Sequence, residues 1–332
     1  MKRPALILRG TVFDPPLFCA PMAGITHSAF RRLLADFGGY GALYTEMLSA
    51  RMIPHDNLRD SPWVKRRPQE GKVVYQLLAV DTVRLAESVD RLAGLAPDAL
   101  DLNAACSAPA VRRQRGGSEL FDDAARLGDV VRCMRRCWSG PLFVKIRLGR
   151  PVPEWRGTMR NRLRLLEDEG VDAVVIHARF SGESLSRPAR VSLYPELAGE
   201  TRLPIVANGD ITGPDICKKR AALLEPVSGL MVGRMAAARP WVFGHWQNAP
   251  AAVSPAEIWR RMLGYLIEDF PEVQALMRVK ILTPYFARNF IFGHTLFKAV
   301  QGASDLDTAR KRADDFLSAS PLLSTHISLD GI

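Results

Sequence analysis

The sequence lacks the features of several large classes of protein. It has five cysteines in 332 residues, an odd and scattered set, which argues against a disulfide framework and favours a reducing compartment. No apolar run approaches the roughly 18 residues of a membrane helix, and the first residues lack the apolar core of a signal peptide. We therefore expect a soluble, cytoplasmic protein with no membrane partner.

Motifs for metal and nucleotide chemistry are also missing. No H-x-H, H-E-x-x-H or P-loop pattern occurs, and no G-x-G-x-x-G follows a predicted strand. Cys133 and Cys137 share one predicted helix, but no histidine or further cysteine accompanies them, so packing is the favoured interpretation. The sequence predicts no metal site and no resident dinucleotide.

Positive charge is in excess and unevenly distributed. Lys and Arg outnumber Asp and Glu by 45 to 35, a formal net charge of +10. Residues 251–332 hold equal numbers of acidic and basic side chains, so the excess lies in residues 1–250. This charge suits a polyanionic partner such as nucleic acid, and a solvated arginine-rich surface is the alternative.

Short apolar runs alternate with amphipathic helical segments through residues 17–246, which is typical of repeated βα units. Eight units in this length predict a closed (β/α)8 TIM barrel rather than an open sheet. The predicted strands are Leu17–Met22, Ala42–Met47, Val73–Leu78, Ala99–Asn103, Leu142–Arg147, Ala173–His177, Pro204–Asn208 and Gly229–Gly233. The predicted helices between them include Ser28–Phe37, Thr82–Leu95, Asp122–Trp138, Arg160–Glu169 and Asp215–Glu225.

The remainder of the chain reads as a small helical bundle. Residues 248–255 form a predicted linker with a helix N-cap at Ser254, which divides the chain into domains 1–248 and 249–332. Apolar residues then recur at helical spacing in three or four segments. The bundle is either a packing appendage or an RNA-binding domain. Its interleaved cations and aromatics are Arg278, Lys280, Arg288, Lys298, Tyr285, Phe286, Phe290 and Phe297.

Polar residues follow each predicted strand, where the working face of such a barrel is built. Their convergence on one rim indicates an active site. Lysine, arginines and glycine-rich turns after the seventh and eighth strands predict a bound phosphate, and hence a phosphorylated cofactor. The rim residues are Met22-Ala23-Gly24, Glu46, Gln76, Asn103 with Cys106, Lys145 with Arg147, His177 with Arg179, Asn208-Gly209-Asp210 and Gly233-Arg234.

Seven of these strand ends carry motifs that resemble, in order, those of the tRNA-dihydrouridine synthase family. The resemblance covers nearly the whole chain. The motifs are Ala20-Pro21-Met22-Ala23-Gly24-Ile25-Thr26, Tyr44-Thr45-Glu46-Met47, Asp101-Leu102-Asn103 with Cys106 and Gly116-Gly117-Ser118, Val144-Lys145-Ile146-Arg147-Leu148-Gly149, Ile176-His177-Ala178-Arg179, Ala207-Asn208-Gly209-Asp210-Ile211 and Val232-Gly233-Arg234.

The resemblance implies an FMN-binding barrel, a helical domain that binds tRNA, and reduction of specific uridines to 5,6-dihydrouridine with NADPH as a visiting reductant. It implies that Cys106 protonates C5 of the base as hydride reaches C6, with Asn103 holding the base and Arg147 and Arg179 near the substrate or phosphates. The implied flavin contacts are Met22, Ala23, Gly24 and Gln76 along the ring, Lys145 and His177 at the ring or ribityl edge, and Asn208, Gly209, Asp210, Gly233 and Arg234 at the ribityl chain and phosphate.

The sequence departs from the family pattern around the cysteine. Ala105 replaces a glycine, Ser107 a proline, and Pro109 stands where a basic residue is expected, while His27 replaces an aspartate after the first motif. The motifs implied to bind flavin therefore match the family pattern more completely than the loop implied to protonate the uridine. The alternatives are an FMN-dependent reductase of a small molecule or another RNA, and a catalytically weakened RNA-binding paralogue.

Overall fold

A computed structural model describes residues 3–247 and 254–329 of the chain. Eight parallel strands close into a barrel in which each strand pairs with the next along the chain and the last pairs with the first, which confirms the predicted fold class. The strand bounds agree with the predicted ones within a few residues. The strands are β1 (Leu6–Leu8), β2 (Thr11–Phe13), β3 (Leu17–Cys19), β4 (Ala42–Ser49), β5 (Val73–Leu78), β6 (Ala99–Ala104), β7 (Leu142–Arg147), β8 (Ala173–His177), β9 (Ile205–Asn208) and β10 (Gly229–Val232).

Helices follow most of the barrel strands and bury one apolar face against them. The helix predicted over residues 215–225 is instead two short helices, Pro214–Lys219 and Ala221–Leu224, which meet at Arg220. The helices are α1 (Ser28–Ala35), α2 (Leu85–Ala93), α3 (Pro109–Arg113), α4 (Ser118–Asp122), α5 (Ala124–Cys137), α6 (Trp155–Asp168), α7 (Tyr194–Gly199), α8 (Pro214–Lys219), α9 (Ala221–Leu224), α10 (Arg234–Ala238), α11 (Pro255–Asp269), α12 (Glu272–Phe286), α13 (Gly293–Gln301) and α14 (Leu306–Ser318).

An antiparallel hairpin, β1–β2, which the sequence pattern did not predict, precedes the barrel. Arg9 and Gly10 form its two-residue turn with φ values of 45° and 81°, the left-handed conformation that such turns require. Phe13 then packs into the barrel interior, with its ring centroid 5.5 Å from Phe18 and 5.7 Å from Phe143. The hairpin thus supplies a residue to the core inside the barrel.

The barrel interior changes from apolar to polar toward the carboxyl ends of its strands. Side chains alternate along each strand, so every second residue points inward. Phe18, Tyr44 and Phe143 form a buried aromatic layer of edge-to-face contacts. Gln76 lies two residues after Val74 on β5, and Lys145 lies two residues after Phe143 on β7. The candidate functional residues Gln76 and Lys145 therefore lie directly above a buried apolar layer.

The helical region after the barrel packs on its side through α1 and α11. Ser254 caps α11, as predicted, by accepting a hydrogen bond from the Glu257 backbone N–H. Asp269 at the end of α11 accepts from Lys65 and Arg67 at 3.1 and 2.8 Å. The predicted domain boundary and linker residues 248–253 lie outside the described residues. Within the described part of the chain, no helix has the length and apolarity needed to cross a membrane.

Candidate active site

A cavity at the carboxyl ends of the barrel strands collects nearly all of the candidate residues. It encloses about 1020 Å³, including its open mouth. Gly24 and Glu46 are the exceptions: the Gly24 backbone N–H donates to Glu46 Oε2 at 2.7 Å, and neither residue lines the cavity. The candidate residues in the wall are Met22, Ala23, Gln76, Asn103, Cys106, Lys145, Arg147, His177, Arg179, Asn208, Gly209, Asp210, Gly233 and Arg234.

Lys145 places a buried ammonium group in this wall. Its one hydrogen bond within the described residues runs from Nζ to Asn208 Oδ1 at 3.0 Å. The Asn208 amide donates in turn to the Met231 backbone oxygen at 3.0 Å, which fixes the amide orientation. Burial and the Arg147 guanidinium lower the pKa of Lys145. An ammonium carries three N–H groups, so two remain for a ligand in the cavity.

Arg179 is buried in the wall and anchors the loop after β8. Its Nη2 lies 2.7 and 2.8 Å from the two carboxylate oxygens of Asp210, and its Nε donates to the Arg187 backbone oxygen at 2.6 Å. Its Nη1 lies 2.8 Å from His177 Nε2, which must be the acceptor because a guanidinium has only donors. Burial and the surrounding cations hold the pKa of His177 well below its ordinary value, which agrees with a neutral ring.

The end of the cavity after β9 and β10 combines two glycines with a further arginine. Arg234 follows Gly233, and its Nη2 lies 3.4 Å from Asp210 Oδ1. Gly209 has φ +114°, and a Cβ there would lie 2.9 Å from the His177 ring. Only glycine lets the backbone approach that ring so closely. One end of the cavity therefore combines arginine side chains with glycine backbone that a ligand can approach closely. An anionic group binds well in such surroundings.

The loop that carries Cys106 is held from two sides. Asn103 Oδ1 accepts hydrogen bonds from the backbone N–H groups of Ala105 and Cys106, at 3.1 and 2.9 Å. On the other side the Ser118 N–H donates to the Cys106 backbone oxygen at 2.9 Å. Gly117 has φ +57°, and a Cβ on it would overlap the Cys106 carbonyl group. The thiol is half-buried and lines the same cavity as Lys145.

Some residues that line the cavity do not follow a predicted strand, so the sequence offered no reason to place them there. Leu329, from the segment after α14, lines the wall, and its backbone oxygen accepts from Arg234 Nη1 at 2.9 Å. Leu185, in the loop after β8, lines it as well. Both are apolar residues in irregular segments. Neither periodicity nor motif order distinguishes such residues from surface leucines.

Arg278 of α12 reaches the barrel mouth. Its Nη1 lies 3.8 Å from Glu46 Oε1, and its guanidinium sits over the rings of Trp63 and Phe270, at 5.6 and 5.5 Å from their centroids. Lys280 donates to a backbone oxygen just before α14 at 2.7 Å. Arg278 and Lys280, which the sequence suggested for RNA contact, therefore make contacts within the protein. Of the suggested aromatics, Phe286 and Phe290 are buried in the core.

A second cavity, here called the helical groove, lies between α12, α13 and the segment after α14. It holds one arginine, two histidines and the partly exposed ring of Phe297, and its wall contains no carboxylate among the described residues. Its lining residues are Pro284, Ala287, Arg288, Phe290, Ile291, Gly293, His294, Phe297, Ser324, His326 and Ser328.

Comparison with known proteins identifies the family. The family model of dihydrouridine synthases (Dus) matches residues 18–315, which is most of the chain. The chain belongs to the dihydrouridine synthase family. It is 28% identical over 264 residues to tRNA-dihydrouridine synthase B of Pseudomonas aeruginosa, covering 76% of each chain. It is 28% identical over 338 residues to a probable tRNA-dihydrouridine synthase of Mycobacterium leprae, covering 89% of this chain and 87% of that protein.

The barrel also occurs in more distant solved structures. A histamine dehydrogenase from Rhizobium sp. 4-9 superposes with a TM-score of 0.59 at 12% identity, covering 85% of this chain and 51% of the other. At this identity the likeness concerns the fold alone. The same barrel architecture thus occurs in a protein of very different sequence.

The residues that depart from the dihydrouridine synthase pattern fit their positions locally. Ala105 does not adopt a positive φ, so the backbone does not require glycine there. Pro109 opens the first turn of α3, where a missing N–H costs no hydrogen bond. His27 caps α1, because its Nδ1 accepts from the Phe30 backbone N–H at 3.3 Å. The backbone around each of these three residues therefore accommodates the departure from the family pattern.

The donor set of the cavity fits a flavin mononucleotide. Lys145 has N–H groups available, and the Asn208 amide and the neutral His177 ring lie beside it. These donors suit a ring system that has carbonyl and nitrogen acceptors. Gly233 has room around it, since a Cβ there would meet its nearest neighbour, Ala20, at 3.6 Å. With Arg234 next to it, this corner suits a phosphate. Among the described residues no cluster of three or more His, Cys, Asp or Glu is placed to hold a metal ion.

Proposed function

We propose that this chain is an FMN-dependent tRNA-dihydrouridine synthase that uses NADPH as reductant. The observation that carries the proposal is the placement of Cys106 in the same cavity as Lys145 and Arg234, at the strand ends where the family motifs stand. A proton donor and a flavin-binding wall must face one another across a single base for this reaction. The relatives of Pseudomonas aeruginosa and Mycobacterium leprae are named for tRNA substrates. Because tRNA is the proposed substrate, we place the protein in the cytoplasm.

Two regions of the cavity would hold the cofactor. Met22, Ala23 and Gln76 would face the flavin ring, with Lys145 and the neutral His177 at its polar edge. The corner after β9 and β10 would take the ribityl chain and the phosphate. The residues there are Asn208, Gly209, Asp210, Gly233 and Arg234.

Cys106 would supply the proton of the reaction. FMN held in this cavity and reduced by NADPH would supply the hydride for C6 of the uracil. The Cys106 Sγ–H bond breaks as its proton moves to C5, so the C5–C6 double bond becomes saturated. The thiolate that remains faces the positive charges of Lys145 and Arg147, which stabilise it until solvent returns the proton.

The base would be placed by the groups around the thiol. Asn103 already uses its oxygen to hold the cysteine loop, so we assign it chiefly to positioning Cys106 beside the base. Arg147 lines the cavity and donates to the backbone oxygens of Phe180 and Glu183, which orders the loop after β8. Arg179 makes its contacts to Asp210 and that same loop. Because a stacked uridine cannot reach this depth, the base must be flipped out of the folded RNA.

The helical groove is the proposed contact for the RNA backbone outside the barrel. Arg288 offers a phosphate contact and Phe297 a partly exposed stacking surface, while the groove wall lacks repelling carboxylates among the described residues. Replacing Arg288 and Phe297 by alanine should weaken tRNA binding and reduce its salt dependence without altering flavin content. Arg310→Ala is the control, because Arg310 is an exposed cation of α14 paired with Asp307. Unchanged affinity in the double variant would remove the groove from the RNA surface.

The activity is tested with purified protein, unmodified tRNA transcripts, FMN and NADPH. Dihydrouridine in the nucleoside digest, together with NADPH consumption, is the expected result. Binding of flavin with no dihydrouridine would instead favour a reductase of a small molecule or another RNA. Binding of tRNA without flavin uptake would favour a non-catalytic RNA-binding protein.

A further inference from the structure

Residues 320–329, here called the tail, run from the last helix to the cavity at the barrel mouth. The tail lies beyond the segment that the family model matches, which ends at residue 315. Leu329 is buried, with 9% of its surface exposed, and it lines the cavity, whereas Leu322 of the same tail is 67% exposed. The tail thus brings an apolar side chain to the wall of the proposed flavin site, where the proposed reaction gives it no part.

The first half of the tail is held by backbone pairing and by a buried asparagine. Leu323 forms an antiparallel bridge with Phe290, and the Ser324 N–H donates to the Asn289 backbone oxygen at 2.7 Å. Asn289 is buried, and its side-chain amide donates to the Ala238 backbone oxygen at 2.7 Å. Because Ala238 is the last residue of α10, these bonds fix the start of the tail beside the carboxyl end of that helix.

Two arginines at opposite ends of α10 hold two carbonyl groups of the tail. Arg239, the residue after the helix, donates from Nη2 to the Ser324 backbone oxygen at 3.2 Å. Arg234, the first residue of the helix, donates from Nη1 to the Leu329 backbone oxygen at 2.9 Å. The tail therefore runs alongside α10, from its carboxyl end to the corner after β10 that we propose for the phosphate.

The two faces of the tail line different cavities. His326 and Ser328 line the helical groove. Ile327 packs against the hydrophobic core, and Leu329 lines the cavity at the barrel mouth. The tail is thus a thin partition between the two cavities, and its inner face closes the barrel cavity next to Arg234.

The Arg234 guanidinium joins the tail to the loop after β8. Its Nη2 donates to the Leu185 backbone oxygen at 3.2 Å and lies 3.4 Å from Asp210 Oδ1. Leu185 and Leu329 both line the cavity, so two apolar side chains are tied to one charged group. An apolar cover excludes water and strengthens the attraction between an arginine and an anion beneath it. Removing the cover should therefore weaken the binding of a phosphate at this corner.

We propose that the tail closes the phosphate end of the flavin site and retains the cofactor there, with Leu329 as its inner contact. The inference rests on the proposed flavin function, since FMN is the ligand that the tail would retain. Its structural part, the docking of Leu329 beside Arg234, concerns the protein without any ligand.

The docking is tested on the flavin-free protein by thiol labelling with a maleimide. Leu329→Cys and Leu322→Cys place the same probe at a buried and an exposed position of the tail. Peptide mass mapping separates each new thiol from the five native cysteines. The thiol at position 329 should react about tenfold more slowly or less, because burial of an apolar side chain holds the tail closed. Equal labelling rates at the two positions would overturn the docking.

The retention of the cofactor is tested by fluorescence titration with FMN. The variants are Leu329→Ala and a chain that ends at Ser324, which keeps the contacts of Ser324 with Asn289 and Arg239. Loss of the tail should raise the dissociation constant of FMN about tenfold, and Leu329→Ala should raise it severalfold. Leu322→Ala is the matched control and should bind FMN as wild type does. Unchanged or tighter FMN binding in the shortened chain would overturn the proposal.

Riboflavin, which lacks the phosphate, tests where the tail acts. The shortened chain should lose less affinity for riboflavin than for FMN, because the tail is proposed to cover the phosphate end. An equal loss for both ligands would overturn that placement. If wild-type protein binds neither ligand, the proposed function fails and the cofactor part of this inference fails with it, whereas the labelling rates still decide the docking.

Discussion

Arg179 and Asp210 form an ion pair at the back of the cavity, with Nη2 2.7 and 2.8 Å from the two carboxylate oxygens. The pair joins β8 to β9 and also fixes the loop between β8 and α7, because Asp210 Oδ2 accepts from the Ala189 backbone N–H at 2.7 Å. The same carboxylate faces Arg234. One buried arginine thus orders both the cationic corner and the loop that covers it.

Replacement of Arg179 by lysine should therefore be costly although charge is retained. Lysine cannot reach Asp210, His177 and the Arg187 backbone oxygen at once, so a buried carboxylate and a carbonyl lose donors. We expect a loss of about 2 kcal/mol or more in the free energy of unfolding, with weaker FMN retention. Urea unfolding and flavin stoichiometry measure both effects. Arg187→Lys is the control, since that side chain is largely exposed; equal losses would argue against this role.

Gly117→Ala should slow catalysis without releasing the flavin. A Cβ at Gly117 would overlap the Cys106 carbonyl, so the cysteine loop must shift. Gly71 is a matched control, because it has nearly the same backbone angles (φ 62°, ψ −125° against φ 57°, ψ −122°) and no atom within 4 Å of an added Cβ. Turnover should fall by about tenfold or more in Gly117→Ala and remain near wild type in Gly71→Ala. Similar turnover in the two variants would show that the loop position is not limiting.

Asp269→Asn should weaken the junction of α11 with the barrel in a pH-dependent way. Burial would raise the pKa of Asp269, but hydrogen bonds from Ser28, Lys65 and Arg67 outweigh it, so the net pKa lies below its ordinary value. A lowered folded-state pKa contributes stability that is complete above about pH 4 and is lost as the pH falls through that lowered value. The variant should melt below wild type at pH 7, and the difference should shrink toward pH 3. Asp307→Asn, at an exposed pair, serves as the control; a difference independent of pH would contradict this reasoning.

The sequence predicted that most of the strand-end residues lie together, and all of them except Gly24 and Glu46 line one cavity. Parallel strands in a closed barrel bring their carboxyl ends to one rim, so Gln76, Lys145 and His177 could be placed together from strand order alone. The alternation of short apolar runs with amphipathic helical segments also located β6 and β7 to within one residue at each end. These predictions depend on local periodicity and on one topological rule.

Contacts between distant segments could not be predicted in this way. Leu329 reaches the cavity from a segment after the last helix, and Arg278 crosses from α12 to Glu46. The sequence also could not tell which aromatic residues of the helical region are exposed. Phe286 and Phe297 both occur in segments of helical periodicity, but Phe286 is buried and Phe297 is partly exposed. Such contacts arise from how the helical region packs on the barrel. Side-chain periodicity contains no information on that packing.

The central claim is that Cys106 completes a flavin site for uridine reduction. Its most direct test is nucleoside mass spectrometry of tRNA from a strain of the source organism lacking the gene, complemented by wild type, Cys106→Ala or Cys137→Ala. Cys137 is exposed on α5 and serves as the control cysteine. We expect dihydrouridine to vanish at one or more positions and to return with wild type and Cys137→Ala. Cys106→Ala should remain yellow when purified but restore little or no dihydrouridine, since losing a general acid costs about 10²-fold or more. Full restoration by Cys106→Ala, or unchanged dihydrouridine in the deletion strain, would contradict the claim.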